Sequence, residues 1–182
     1  MKPLIDHLLM HSVRTDGPFV LRSGATSSWY LDARQTTFSG DGAALVGQAV
    51  LSVLDDRVTA VGGMTMGADP IALATALAAH QRGRALRSFS VRKEAKDHGV
   101  GGRLVGPVSG DDVVAVLEDT STTGGALSEA VDVLTAAGIE IAQAVVLVDR
   151  SQGAAARLMS DRGIPFVAVL QPSDLGMDLE ME

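Results

Sequence analysis

Short apolar runs near residues 58–61, 88–91, 113–117, 142–148 and 166–170 alternate along this chain with segments of helical period at 42–54, 69–81, 125–137 and 153–163. That alternation limits the possible folds more than any other feature. A run that is apolar at consecutive positions belongs to a strand covered on both faces, and the helices between successive strands are what cover it. The expectation is an α/β protein with a doubly wound, mostly parallel sheet and helices on both faces. Within 125–137, Leu127, Ala130, Val131, Leu134 and Ala137 recur on one side of the helix, and Gly138 follows as its stop. Asp69-Pro70 reads as an N-cap followed by proline at the first helical position, where a missing N–H costs nothing.

A length of 182 residues suits one compact domain over 1–182. Residues 1–40 read as an N-terminal helix, near 4–13, followed by a small hood: two β-prone runs between Phe19 and Phe38, punctuated by Ser23-Gly24, suggest a hairpin. Residues 41–173 form the α/β core. Between 93 and 110 the apolar period fails while Gly99, Gly101, Gly102, Gly106 and Gly110 accumulate, which reads as a long mobile loop of the kind used as a lid. The acidic tail, 174–182, is expected to be loosely held.

Composition removes several classes of function. Aromatic residues make up 3%, too few for base-stacking platforms, and a net charge of −7 opposes general attraction to nucleic acid or to anionic membranes. Neither is expected as a partner, and any polyanionic ligand needs a local basic patch. There is no cysteine, so disulfides, thiolate catalysis and cysteine-held metals are excluded. The four histidines are scattered, and His7, His11 and His80 are read as structural. No stretch approaches the ~20 apolar residues of a membrane span and no signal peptide is evident at the N-terminus, so a cytoplasmic location is expected.

The strongest chemical signal is Val113-Val114-Ala115-Val116-Leu117-Glu118-Asp119-Thr120-Ser121-Thr122-Thr123-Gly124-Gly125-Ala126. An apolar strand ends in two acids, and a Thr/Ser/Gly turn then opens a helix. Backbone N–H groups and hydroxyls converge at such a turn on the positive end of the helix, where a phosphate monoester fits. The two carboxylates, as pure acceptors, suit the paired hydroxyls of a ribose. The same residues are also compatible with a plain strand end and an N-cap cluster. A Walker A loop is ruled out, because the turn has no Gly-Lys-Ser or Gly-Lys-Thr.

A second signal is Arg92-Lys93-Glu94-Ala95-Lys96-Asp97-His98-Gly99, which holds two of the three lysines in the chain. Arg92, Lys93, Lys96 and His98 supply the local positive field that a pyrophosphate needs. Read without other context, the segment is equally a solvated turn neutralised by Glu94 and Asp97.

The strand–acid–acid–turn segment resembles the phosphoribosyl pyrophosphate signature of the type I phosphoribosyltransferases. The order Arg-Lys-x-x-Lys-x-His-Gly is similar to the catalytic loop of the orotate phosphoribosyltransferases. Leu21-Arg22-Ser23-Gly24, the turn Gly62-Gly63-Met64-Thr65-Met66-Gly67, and Val148-Asp149-Arg150 extend the resemblance over most of the chain.

The resemblance implies the type I phosphoribosyltransferase fold with a mobile catalytic loop. It implies Mg²⁺-dependent transfer of 5-phosphoribosyl from 5-phosphoribosyl 1-pyrophosphate to orotate, giving orotidine 5′-monophosphate and pyrophosphate in pyrimidine biosynthesis. Lys96, His98 and Asp119 are then the catalytic residues. Arg92 and Lys93 hold pyrophosphate, Glu118 and Asp119 the ribose hydroxyls, and Thr120, Ser121, Thr122, Thr123, Gly124, Gly125 and Ala126 the 5′-phosphate. Thr122, Arg150 and Arg22 meet orotate, over which the hood with Trp29 and Tyr30 closes. No side chain is assigned to the metal. The resemblance also implies a homodimer whose basic loop reaches the neighbouring site.

Two positions depart from the family pattern: Arg22 stands where many relatives carry lysine, and Thr65-Met66 replaces a Tyr-Lys pair, which removes a cation from the pyrophosphate turn. The alternatives are a salvage phosphoribosyltransferase for another base, or a non-catalytic sensor of phosphoribosyl pyrophosphate.

Overall fold

The computed structural model describes residues 1–20, 26–96 and 102–177, with backbone alone at Lys96. Helix α1 (Lys2–His11) leads into four two-residue strands, β1 (Val13–Arg14), β2 (Phe19–Val20), β3 (Thr26–Ser27) and β4 (Tyr30–Leu31). A short helix α2 (Arg34–Thr37) and helix α3 (Gly40–Ser52) follow. The core then runs β5 (Ala60–Met64), α4 (Ala68–Gln81), β6 (Arg87–Lys96), β7 (Gly102–Val105), β8 (Val113–Ser121), α5 (Gly125–Ala136), β9 (Glu140–Asp149), α6 (Ala154–Ser160) and β10 (Phe166–Leu170). A 3₁₀ turn at Pro172–Leu175 closes the described chain.

The main sheet has the order β10-β9-β8-β5-β6-β7, parallel throughout except for β7, which runs antiparallel to β6. Helices cover both faces, as the apolar runs imply. Along β8, Ala115 and Leu117 join Val46, Val50 and Ile71 in one cluster, while Val114 and Val116 join Leu127, Val131 and Leu134 in the other. The period of two is hidden in the sequence because both faces of the strand are apolar. Burying each of these leucines contributes roughly 2 kcal/mol. From β5 the chain moves outward to β6 and β7, then returns to place β8 on the other side of β5. The reversal leaves a crevice at the carboxyl ends of β5 and β8, the position where open α/β sheets bind ligands.

Four expectations need correction. The hood is not one hairpin: β2 pairs with β3, while β4 pairs with β1, a partner outside the segment. Residues 34–37 form a helix, preceded by an Asx-type turn in which Asp32 accepts the Arg34 N–H (3.2 Å), a local bond that favours a turn over a strand. The presumed loop at 93–110 is narrower, since β6 runs on to Lys96 and β7 begins at Gly102. Past Val91 this two-stranded ribbon has little core beneath it, so polar residues replace the apolar period without ending the pairing.

The N-cap of α4 is Gly67 rather than Asp69, whose carboxylate accepts the Thr65 hydroxyl (2.7 Å) instead. The start of the tail is docked, with Leu175 buried and the Asp174 carboxylate accepting the Gln171 N–H (2.7 Å). Arg22, Asp97, His98 and residues 178–182 lie outside the described residues, as does the Lys96 side chain.

Candidate active site

A cavity of about 270 Å³ opens at the β5/β8 crevice, lined by Met64, Thr65, Gly67 and Ala68, by Leu117, Glu118 and Asp119, by Lys93, and by Ala126 and Glu129. Three sequence signals meet there: the acid pair, the glycine turn after β5 and the first part of the basic segment.

Both acids are drawn in from water. Burial pushes the Glu118 carboxyl up to about 7, the neighbouring Asp119 and Asp149 adding to the effect and the Ser121 hydroxyl opposing it. Its Oε2 is buried without a hydrogen-bond partner, which makes it an acceptor waiting for a donor. Burial also raises Asp119, against the pull of the Thr120 N–H, which donates to Oδ1 (2.8 Å). Asp119 packs against Gly67 so closely that a Cβ there would sit 2.5 Å from Oδ1.

The turn after the acids is held internally. The Gly124 N–H donates to Ser121 Oγ (3.1 Å), the Gly125 N–H donates to Thr123 Oγ1 (3.3 Å), and Gly124 adopts φ 78°, a left-handed conformation that favours glycine. Ser121 is buried with its hydroxyl closing the turn, whereas Thr122, Thr123 and Gly125 are exposed at the N-terminus of α5. Residues 121–125 therefore divide into buried ones, Ser121 and Gly124, and exposed ones at the helix start.

Arg92 and Lys93 part company. Lys93 lines the cavity, whereas Arg92 is not among its lining residues. The Arg150 backbone N–H donates to the Ser121 carbonyl (2.8 Å), and its guanidinium stacks 4.1 Å above the buried Trp29 ring. The hood and the end of β9 thus meet beside the signature turn.

Sequence reasoning missed three residues. Glu129 lies one helical turn beyond Ala126, a spacing that could have placed it on the same face. Arg103, on β7, ion-pairs with Glu129 and gives no local signal. Arg34, bound to Asp32 (2.7 Å), has a charge that favours ionised Asp119.

No protein-family model matches the chain. Curated relatives do: an orotate phosphoribosyltransferase of Streptomyces avermitilis is 44% identical over 163 residues, spanning 89% of this chain and 90% of that protein. One from a Nostoc species is 40% identical over 175 residues, spanning 96% and 84%. Among solved structures, a Mycobacterium tuberculosis orotate phosphoribosyltransferase in complex with 5-phospho-α-D-ribosyl 1-diphosphate superposes with a TM-score of 0.79 at 31% identity, covering 96% of this chain and 98% of that one. Identity of 40–44% to these relatives along nearly the whole chain, and a superposition that covers it, leave one conclusion: this chain belongs to the orotate phosphoribosyltransferase family.

Proposed function

We propose that this chain transfers 5-phosphoribosyl from 5-phosphoribosyl 1-pyrophosphate to N1 of orotate in pyrimidine biosynthesis. The observation that carries the reading is the cavity itself, where Glu118 and Asp119 face the glycine turn and Lys93 across the switch point. The two acids accept the ribose hydroxyls, which supply the donor that Glu118 Oε2 lacks. Thr122, Thr123 and Gly125 present the 5′-phosphate to the positive end of α5.

As the bond from C1 to the pyrophosphate oxygen breaks, its electron pair leaves with pyrophosphate and positive charge grows on the ribose, which the buried carboxylates favour. The orotate N1 proton passes to an oxygen of the departing pyrophosphate as the new C1–N1 bond forms. Lys93 meets the leaving group from within the chain, Lys96 and His98 act on it chiefly in the transition state, and Arg150 with Thr122 and Arg22 holds orotate.

The oxygen-rich acid pair with one orphaned oxygen suits Mg²⁺, and no cluster of three or more metal-ligating side chains exists among the described residues. Glu118 and Asp119 are the side chains here that would hold the ion, which would otherwise take substrate oxygens and water. Bound there, it neutralises charge on the departing group.

The reading includes a homodimer with shared sites. A groove of about 540 Å³ between α3 and α4 exposes Phe38, Leu73 and Leu77, an apolar surface suited to a second copy, and its rim at Asp69-Pro70 adjoins the turn that lines the cavity. Arg92, which does not line its own cavity, is then available to the neighbour. Mixing a Lys96→Ala chain with an Asp119→Asn chain is expected to restore about a quarter of parental activity at full exchange, through hybrid dimers with one intact site. No recovery after exchange has been demonstrated by mass would sink sharing.

The function is tested by following orotate loss with Mg²⁺ and 5-phosphoribosyl 1-pyrophosphate, beside xanthine, adenine and uracil. Turnover is expected with orotate alone, and Arg150→Lys should raise KM for orotate about tenfold while leaving that for the sugar donor unchanged. Turnover of another base without orotate would overturn the reading.

A further inference from the structure

The charges around the cavity are poorly matched to a polyanion. Among the described residues its lining holds one cation, Lys93, against the carboxylates of Glu118, Asp119 and Glu129. The turn Gly62-Gly63-Met64-Thr65-Met66-Gly67 brings no charged side chain to help. A leaving group with three or more negative charges needs further positive charge at the ribbon end of this space, because the acid pair occupies the ribose end.

Arg103 stands at that end. Its Nε donates to the Arg92 carbonyl (2.7 Å), which fixes the guanidinium to the β6/β7 ribbon, and its Nη2 lies 3.9 Å from the sulfur of Met64, a lining residue. The same nitrogen ion-pairs with Glu129, another lining residue. The guanidinium therefore sits against the cavity wall, held by a carboxylate that faces the cavity.

Resting on the reading above, we propose that Arg103 is a further pyrophosphate-binding residue, masked by Glu129 in the empty site and transferred to the leaving group when substrate enters. The Glu129 side chain is 46% exposed and that of Arg103 25%. An ion pair in such contact with water is weak, so exchanging it costs little. A pyrophosphate offers the guanidinium fork several anionic oxygens in place of a single carboxylate, and the planar fork suits phosphate. Arg103 thus replaces the cation missing from the glycine turn at Met66, and Glu129 sets how tightly pyrophosphate binds by competing for it.

A purely structural role, in which the pair pins the ribbon to α5, makes a different prediction from ligand exchange. If the pair only pins, Arg103→Gln and Glu129→Gln loosen the same contact and move ligand binding in the same direction. If Arg103 is transferred, they move it in opposite directions. Titration calorimetry with magnesium pyrophosphate reads this directly. Arg103→Gln is expected to weaken the Kd about tenfold, and Glu129→Gln, by freeing the guanidinium, to tighten it about threefold or more.

A Kd unchanged by Arg103→Gln, or shifted the same way by both variants, overturns the proposal. Because calorimetry needs no turnover, failure of the parent chain to consume orotate would count against the reaction assigned above, while the opposed shifts in Kd would still report on Arg103.

Discussion

Glu118→Gln is expected to melt at a higher temperature than the parent at about pH 8 and to lose that advantage near pH 4.5. The Glu118 carboxyl, ordinarily at 4.5, is held up to about 7 chiefly by burial. Between those values the folded chain keeps a proton that the unfolded chain has released. Stability therefore falls as pH rises across that window, and the full cost is present above 7. A shift of that size corresponds to about 3 kcal/mol. The amide escapes the ionisation cost but keeps a buried polar group in need of partners, so the net gain is on the order of 1–3 kcal/mol, or roughly 3–8 °C in Tm.

The same substitution leaves one uncharged acceptor oxygen and puts an NH2 donor in place of the other where the ribose hydroxyls need two, and kcat/KM should fall about 10–100-fold. Stability gained where activity is lost is the signature of a group held in an unfavourable state for its ligand. A melting temperature at pH 8 equal to or below that of the parent would show that the carboxylate is satisfied without substrate. In the parent, affinity for the sugar donor should rise as pH passes upward through about 7, as Glu118 becomes a full acceptor.

Gly67→Ala is expected to cost about 100-fold in kcat/KM with little change in Tm. Gly67 has φ −61° and ψ −42°, a backbone conformation that alanine adopts readily, so any fault must come from the added methyl. That methyl would lie 2.5 Å from Asp119 Oδ1 and 2.8 Å from Cγ, and the carboxylate must move. Misplacing a group that holds the reacting sugar by even ~1 Å is worth about 100-fold in rate. A double-mutant cycle checks the cause. In an Asp119→Ala background the methyl has space, so Gly67→Ala should add almost nothing. Full additivity of the two losses would refute the steric account.

Much of the fold was legible because its strands and helices follow local rules. The run at 113–117 and the helical stripe from Leu127 to Leu134 announced β8 and α5, and the acids and glycines between them announced a ligand turn at a strand end. The structure extends the run to Ser121 because Glu118 and Thr120, though polar, continue the pairing with β9 at Val146 and Val148. What lacked a local period was missed: the ribbon of β6 and β7, the pairing of β1 with β4, and the helix at Arg34–Thr37 depend on partners or capping rather than on amphipathic repeat.

Residue order suggested a phosphate and ribose turn at the end of β8, and the resemblance to a known family, carried by the acid pair, the glycine turn and the lysine-bearing segment, pointed to the chemistry. Residue order could not say which of these side chains share a space. Lys93 lines the cavity with the acids and Arg92 does not, Ser121 turns inward while Thr122 turns out, and Gly67 stops against Asp119. Each outcome comes from alternation along a strand set in a sheet, or from atoms more than 50 residues apart meeting at van der Waals distance. The raised carboxyl of Glu118 and the Arg103–Glu129 pair have the same origin: exclusion from water and the approach of charges arise only when distant segments pack together.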